Sequence, residues 1–340
     1  MRGRTRKDRK MINEREYLFA SSFLKASDAE GTPADRLARF GAAADPEALR
    51  GAVREACRLE PNVPGERVYD EAFADAVRTV RSAVPDFGVF GSLLYKYDCT
   101  NIKTAIKCTL RATSPDGLMF SCGTVAPETV LDGARSASFH SLPPHMNKAA
   151  GDAMHRYRKT GEARIIDLML DTACFADMKE SAAASGVDLL GEIVTVRADG
   201  TNAVTAQRIK AQGMPPETAS ALLREAYVPG GDLPVSALIS PDGGCADIKD
   251  AAQRLPFASP SAPVLRACAA ENSFSGAQKV IDEAVLRLCD KYRFKPFGAE
   301  SVVRYLVIRE AEMTNCRILE AGMRGGCTEK MRERLRRAYV

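Results

Sequence analysis

Phe297 to Gly326 reads FGAESVVRYLVIREAEMTNCRILEAGMRGG, and this stretch decides the fold class. From Ala299 to Ala321 it holds neither Pro nor Gly, and apolar residues recur near helical spacing at Val303, Leu306, Val307, Ile318 and Leu319. Pro296-Phe297-Gly298 stops whatever precedes, and Glu300 places a negative charge in the first turn of the new helix. Gly322 is suited to closing that helix in the left-handed conformation. Thr328 then stands where it would cap a last helix, with Met331, Leu335 and Ala338 as its apolar stripe. Arg332, Arg334, Arg336 and Arg337 make the rest of that helix basic, either as a solvated face or as partners for acidic groups elsewhere. The stretch reads as a helical hairpin.

Its polar residues are the informative ones. Glu312, Thr314 and Asn315 fall inside the long helix, where Thr and Asn have poor propensity. The pattern occurs twice upstream, as Asp98-Cys99-Thr100-Asn101 and as Asp199-Gly200-Thr201-Asn202. The copies lie 101 and 113 residues apart, the size of a domain rather than of a solenoid repeat. Turn signals follow each copy: Gly123 with Pro127, Gly230-Gly231 with Pro234, and Gly325-Gly326. The pattern points to one helical unit present three times.

Each acidic residue and its Asn, at i and i+3, share one helix face. In one reading Asp98/Asn101, Asp199/Asn202 and Glu312/Asn315 line an interface with a partner. In the other, which we prefer, they hydrogen-bond a neighbouring helix end within their own unit.

Further residues carry a resemblance: Tyr17-Leu18-Phe19-Ala20, Tyr97-Asp98 with Asn101-Ile102-Lys103, and Leu170-Asp171 with Ala173 and Phe175. To these are added Asp199 to Asn202, Val228-Pro229-Gly230-Gly231, Pro296 through Asn315, and Arg332-Glu333-Arg334-Leu335-Arg336. With them the chain, from about Met11 onward, resembles the C subunit of V/A-type rotary ATPases, called subunit d in eukaryotic complexes. It departs from that family at Ser21-Ser22-Phe23-Leu24-Lys25, where members usually carry an Arg-rich run. The resemblance implies an all-helical, funnel-shaped subunit of three similar bundles in pseudo-threefold arrangement. It implies a non-catalytic central-stalk role in ion transport, with coiled-coil axle subunits of the D and F types and the membrane rotor ring as partners. The place implied is the cytoplasmic face of the membrane, reached through that ring.

Composition agrees with helix. The 340 residues fit two or three domains, and 6% aromatic content without Trp, beside many Ala, Leu, Arg and Glu, favours helix over sheet. Expected divisions are a basic tail at 1–13 and helical units at 14–143, 144–242 and 243–340, split near Pro143-Pro144 and Pro241 to Gly244. A net charge of +4 is too small for a bulk nucleic-acid binder. The ten scattered cysteines form no C-x-x-C and read as reduced thiols of a cytosolic protein. No apolar run approaches the roughly 18 residues that span a bilayer.

Chemistry is hard to place on this chain. It has no phosphate-binding G-x-x-x-x-G-K-[ST] loop, no G-x-G-x-x-G and no G-x-S-x-G. His140, His145 and His155 have no i, i+4 pair to hold zinc, and read as surface residues. No catalytic residue, cofactor or metal is therefore expected. The rival readings are a stand-alone helical scaffold or adaptor, and nucleic-acid binding through the two basic ends.

Overall fold

The computed structural model describes residues 14–27, 32–271 and 273–339, so the basic segment 1–13 lies outside the described residues. Among the described residues there are fifteen α-helices and no strand, with a lone antiparallel bridge between Ile239 and Cys245. The chain is all-α, as its composition and periodicity predict. No helix among the described residues is long and apolar enough to cross a membrane.

In chain order the helices are α1 (Leu18–Ser27), α2 (Pro33–Gly41), α3 (Pro46–Ala56), α4 (Val68–Ala83) and α5 (Gly91–Arg111). Then come α6 (Pro127–Ser136), α7 (Pro144–Thr160), α8 (Arg164–Ser185), α9 (Asp188–Ala211) and α10 (Pro216–Ala226). The last are α11 (Ile248–Gln253), α12 (Ser261–Cys268), α13 (Phe274–Asp290), α14 (Ala299–Arg324) and α15 (Thr328–Arg332). Proline opens α2, α3, α6, α7 and α10, where its fixed φ is favourable and its missing N–H costs nothing. Thr32 and Asp35 form a capping box on α2, and the Asp45 carboxylate accepts the Ala48 amide at 2.8 Å to cap α3.

The described residues divide into two compact units, one drawn from 14–88 together with 282–339 and the other from 89–281. In the first, here the terminal unit, α14 packs against α1, α2, α3, α4 and α15. Its buried face is Val302, Val303, Leu306, Val307, Met313, Cys316 and Leu319, a broad apolar surface that a helix surrounded on most sides requires. Residues 243–340 contribute to both units, with α11 and α12 in the second and α14 in the first.

Two expectations for the C-terminal stretch are corrected. Gly322 lies within α14, which runs on to Arg324. A Cβ at this position would sit 2.9 Å from Met331 Cβ, so the glycine admits the returning chain rather than ending the helix. The final helix is only five residues, and Leu335 and Tyr339 are buried in the turns that follow it.

In the second, or middle, unit, α8 packs against α5, α7 and α9, while α9 also carries α10, α11 and α12. Lys103–Asp171 at 2.5 Å and Lys107–Asp167 at 2.6 Å tie α5 to α8 as two rungs of an antiparallel pair. Asp177 of α8 is buried and accepts the His145 and Met146 amides at 3.0 and 2.8 Å, capping α7 from a neighbouring helix. Burial pushes the Asp177 carboxyl above its ordinary value, although those two amides and His145 oppose the shift.

The terminal unit contains a partly buried charge cluster on α14. Glu320 accepts hydrogen bonds from Arg50 and, at 2.6 Å, from the Tyr69 hydroxyl, and pairs with Arg324 at 2.5 Å. Burial alone would raise the Glu320 carboxyl. The hydrogen bonds from Arg50 and Tyr69 and the charges of Arg50 and Arg324 outweigh it and hold the group below its ordinary value. A lowered folded-state pKa adds stability that is present above the unfolded value and lost as pH falls through the folded one. Glu320→Gln is therefore expected to cost about 1–3 kcal/mol at neutral pH. In urea titrations at stepped pH, its deficit against the native protein should shrink as pH drops below about 4. A deficit independent of pH would show that the charge of Glu320 contributes nothing.

Candidate functional site

The motif helices are α5, α9 and α14, and in each the Asn has the same task. Asn101 donates from Nδ2 to the Phe120 carbonyl and accepts the Phe120 amide on Oδ1, both at 2.8 Å. Asn202 makes the same pair of bonds with Val228, both at 2.9 Å. Asn315 does so with Arg336, both at 2.8 Å, and also reaches the Tyr339 hydroxyl at 3.0 Å. A side-chain amide carries one donor face and one acceptor face, so it pairs with a residue's main chain as a neighbouring strand would. The partner lies 19, 26 or 21 residues downstream, in the segment that returns along its own helix. All three Asn side chains are fully buried, where an unmade bond would be costly.

The acidic residues split two to one. Asp98 accepts the Thr124 amide at 3.1 Å, the Thr124 hydroxyl at 2.6 Å and the Val125 amide at 3.1 Å. Asp199 accepts the Asp232 and Leu233 amides at 3.1 and 2.9 Å. Both carboxylates fit because glycine lies against them. A Cβ on Gly123 would stand 2.2 Å from Asp98 Oδ1, and one on Gly231 would stand 1.8 Å from Asp199 Oδ1. Burial raises the Asp199 carboxyl above its ordinary value, against the pull of the Ser261 hydroxyl and the two amides.

Glu312 is turned to another use. Its Oε1 lies 2.8 Å from both Nε and Nη2 of Arg36 on α2, and its Oε2 lies 2.9 Å from Arg309 Nη1. Arg309 also donates to the Cys57 sulfur at 3.2 Å. Glutamate is one methylene longer than aspartate, and in this unit it joins α14 to the N-terminal helices instead of to its own downstream loop. The Gly325-Gly326 turn signal accordingly has no carboxylate against it.

The C-terminal arginines are less available than their sequence implies. Arg336 is buried, with Nε and Nη2 at 2.9 and 2.8 Å from Asp282 Oδ2. Arg332 donates to the Gly41 carbonyl at 3.0 Å and to Glu329 at 2.8 Å. Sequence reasoning overlooked Arg36, Arg309 and Asp282, which carry no motif of their own. Charged residues inside otherwise apolar helical faces were the available signal. Among the described residues no group of three or more His, Cys, Asp or Glu could hold a metal ion. His145 instead stands 3.0 Å from Glu180.

Chemically the arrangement holds backbone in place. Its donors and acceptors face one another rather than an open cavity. Two substitutions test it. Asn202→Ala strands the Val228 amide and carbonyl in a buried site and is expected to cost about 2–5 kcal/mol, read from urea unfolding. Gly231→Ala forces the Asp199 carboxylate from its amides and should lower the melting temperature at least as far as a typical core truncation, by about 5 °C or more. Near-native melting of both variants would mean that the clamps are incidental.

A family model described as ATP synthase (C/AC39) subunit matches residues 64–334, a span that includes all three motif helices. No curated protein matches the chain.

Proposed function

This chain belongs to the family of ATP synthase (C/AC39) subunits, and on that premise we propose that it is the socket of the rotor in a V/A-type ATPase. In this reading it is a non-catalytic central-stalk subunit, placed between the coiled-coil axle subunits of the D and F types and the membrane rotor ring. It sits on the cytoplasmic face and passes torque between the two, so that nucleotide chemistry elsewhere is coupled to ion transport. The motif helices α5, α9 and α14 mark three related bundles, with divisions near 143 and 242.

The observation that supports this most is the threefold Asn clamp. A coupling needs stiffness, and stiffness needs the segments beside each long helix to keep one position. Each clamp fixes such a segment by two main-chain hydrogen bonds in a buried site. Close-packed helices deform little and transmit strain. The motif residues then act from behind the surface, by holding the loops that meet the partners.

The test is a complex assembled with and without this subunit. Without it, the detached nucleotide-binding sector should keep hydrolysing ATP while ion transport by the complex falls to background. Assembly with Asn202→Ala should hydrolyse normally but transport fewer ions per ATP. Undiminished transport without the subunit, or ATP hydrolysis by the subunit alone, would overturn the assignment.

A further inference from the structure

Several surface cations among the described residues are paired at close range. Arg39 pairs with Glu55, Arg54 with Glu47, Arg78 with Glu71, Lys210 with Asp247, and Arg287 with Glu283. The tip of the α7–α8 hairpin instead gathers such groups without ion-pair partners in one short stretch. From His155 to Arg164 the chain reads HRYRKTGEAR, and His155, Arg156, Arg158, Lys159 and Arg164 are all exposed. Arg158, Lys159 and Arg164 have no ion-pair partner among the described residues, and Arg156 reaches the Met169 sulfur at 3.8 Å. Glu162, the only acidic residue in the stretch, pairs with none of them among the described residues.

A third helix end adds to the cluster. The rungs Lys103–Asp171 and Lys107–Asp167 step four residues at a time in opposite senses along α5 and α8. The next step brings exposed Arg111, the last residue of α5, level with the start of α8. Cations at the C-termini of α5 and α7 complement those helix dipoles, but Arg164 opens α8, at the end where an acidic residue would be the stabilising choice. Helix stability therefore does not account for the whole cluster.

We propose that this hairpin tip is a docking surface for the anionic phospholipid headgroups of a membrane. A single phosphate is a poor fit: each cation is exposed, and in water one contact is worth about 1 kcal/mol. An extended plane of negative headgroups engages all of them at once, at about 1 kcal/mol for each Lys or Arg. Nucleic acid is disfavoured because the stretch exposes no Phe, Tyr or Trp for bases to stack on, its Tyr157 being half-buried. This inference stands apart from the coupling role, since it concerns where the chain rests and not what it transmits.

The full-length protein is mixed with phosphatidylcholine vesicles containing about 30% phosphatidylserine, and with pure phosphatidylcholine vesicles, and bound protein is sedimented. Binding should require phosphatidylserine and weaken steeply as salt is raised. The triple variant Arg158→Glu, Lys159→Glu, Arg164→Glu should bind at least about tenfold more weakly. A control triple with the same change of net charge, Arg78→Glu, Arg135→Glu, Arg287→Glu, should lose no more than about threefold. Circular dichroism confirms that both remain folded. The proposal fails if the native protein ignores phosphatidylserine, or if the two triples weaken binding equally. It also fails if the tip triple binds vesicles normally. If the tip triple leaves an assembled complex while the native protein never binds vesicles, the surface serves an acidic protein instead.

Discussion

One bonding arrangement underlies this molecule: a primary amide side chain on a helix exchanging both of its hydrogen bonds with a single main-chain residue some twenty positions later. Helices hold their own backbone, but the segments between them must find partners or water. Here the segment after each of α5, α9 and α14 is held by an Asn with no solvent exposure. A return segment that would otherwise be irregular thereby becomes part of the packed body. Removing the amide would leave the helix intact and release what lies against it.

The carboxylates show how such a device diverges. In α5 and α9 they bind amide groups beside a glycine that makes room for them. In α14 the longer glutamate forms a buried ion pair with Arg36, 276 positions earlier. Buried ion pairs add little net stability over apolar packing, yet losing one partner is costly. Their best-attested value is in fixing which elements meet, and here the elements are α2 and α14.

Much of this was legible in the sequence, for physical reasons. Helix class followed from periodicity, and the opening of α14 followed from Pro296-Phe297-Gly298 and the acidic Glu300 in its first turn, signals that act over three or four residues. The motif copies were visible because polar residues inside a helix violate propensity and need a reason. What could not be read were contacts without local cause. Nothing near Asp177 announces that it caps α7, and nothing near Asp282 announces that it holds Arg336. Gly322 misled because a glycine near a helix end usually closes it, whereas this one accommodates Met331. The family was legible too, since the residues from Tyr97 to Asn315 that carry the resemblance lie within the span 64–334 that the family model matches.

The partition of the chain has a bearing on its synthesis. Residues 89–281 form a compact unit from continuous sequence, whereas α1 to α4 pack around a helix that begins at residue 299. A chain leaving the ribosome from its N-terminus can complete the inner unit while translation proceeds. The first four helices must meanwhile wait without their core, apolar faces uncovered, until α14 has been made. Helices α1 to α4 are thus made before the inner unit and completed after it, and any chaperone that attends this protein has its work there.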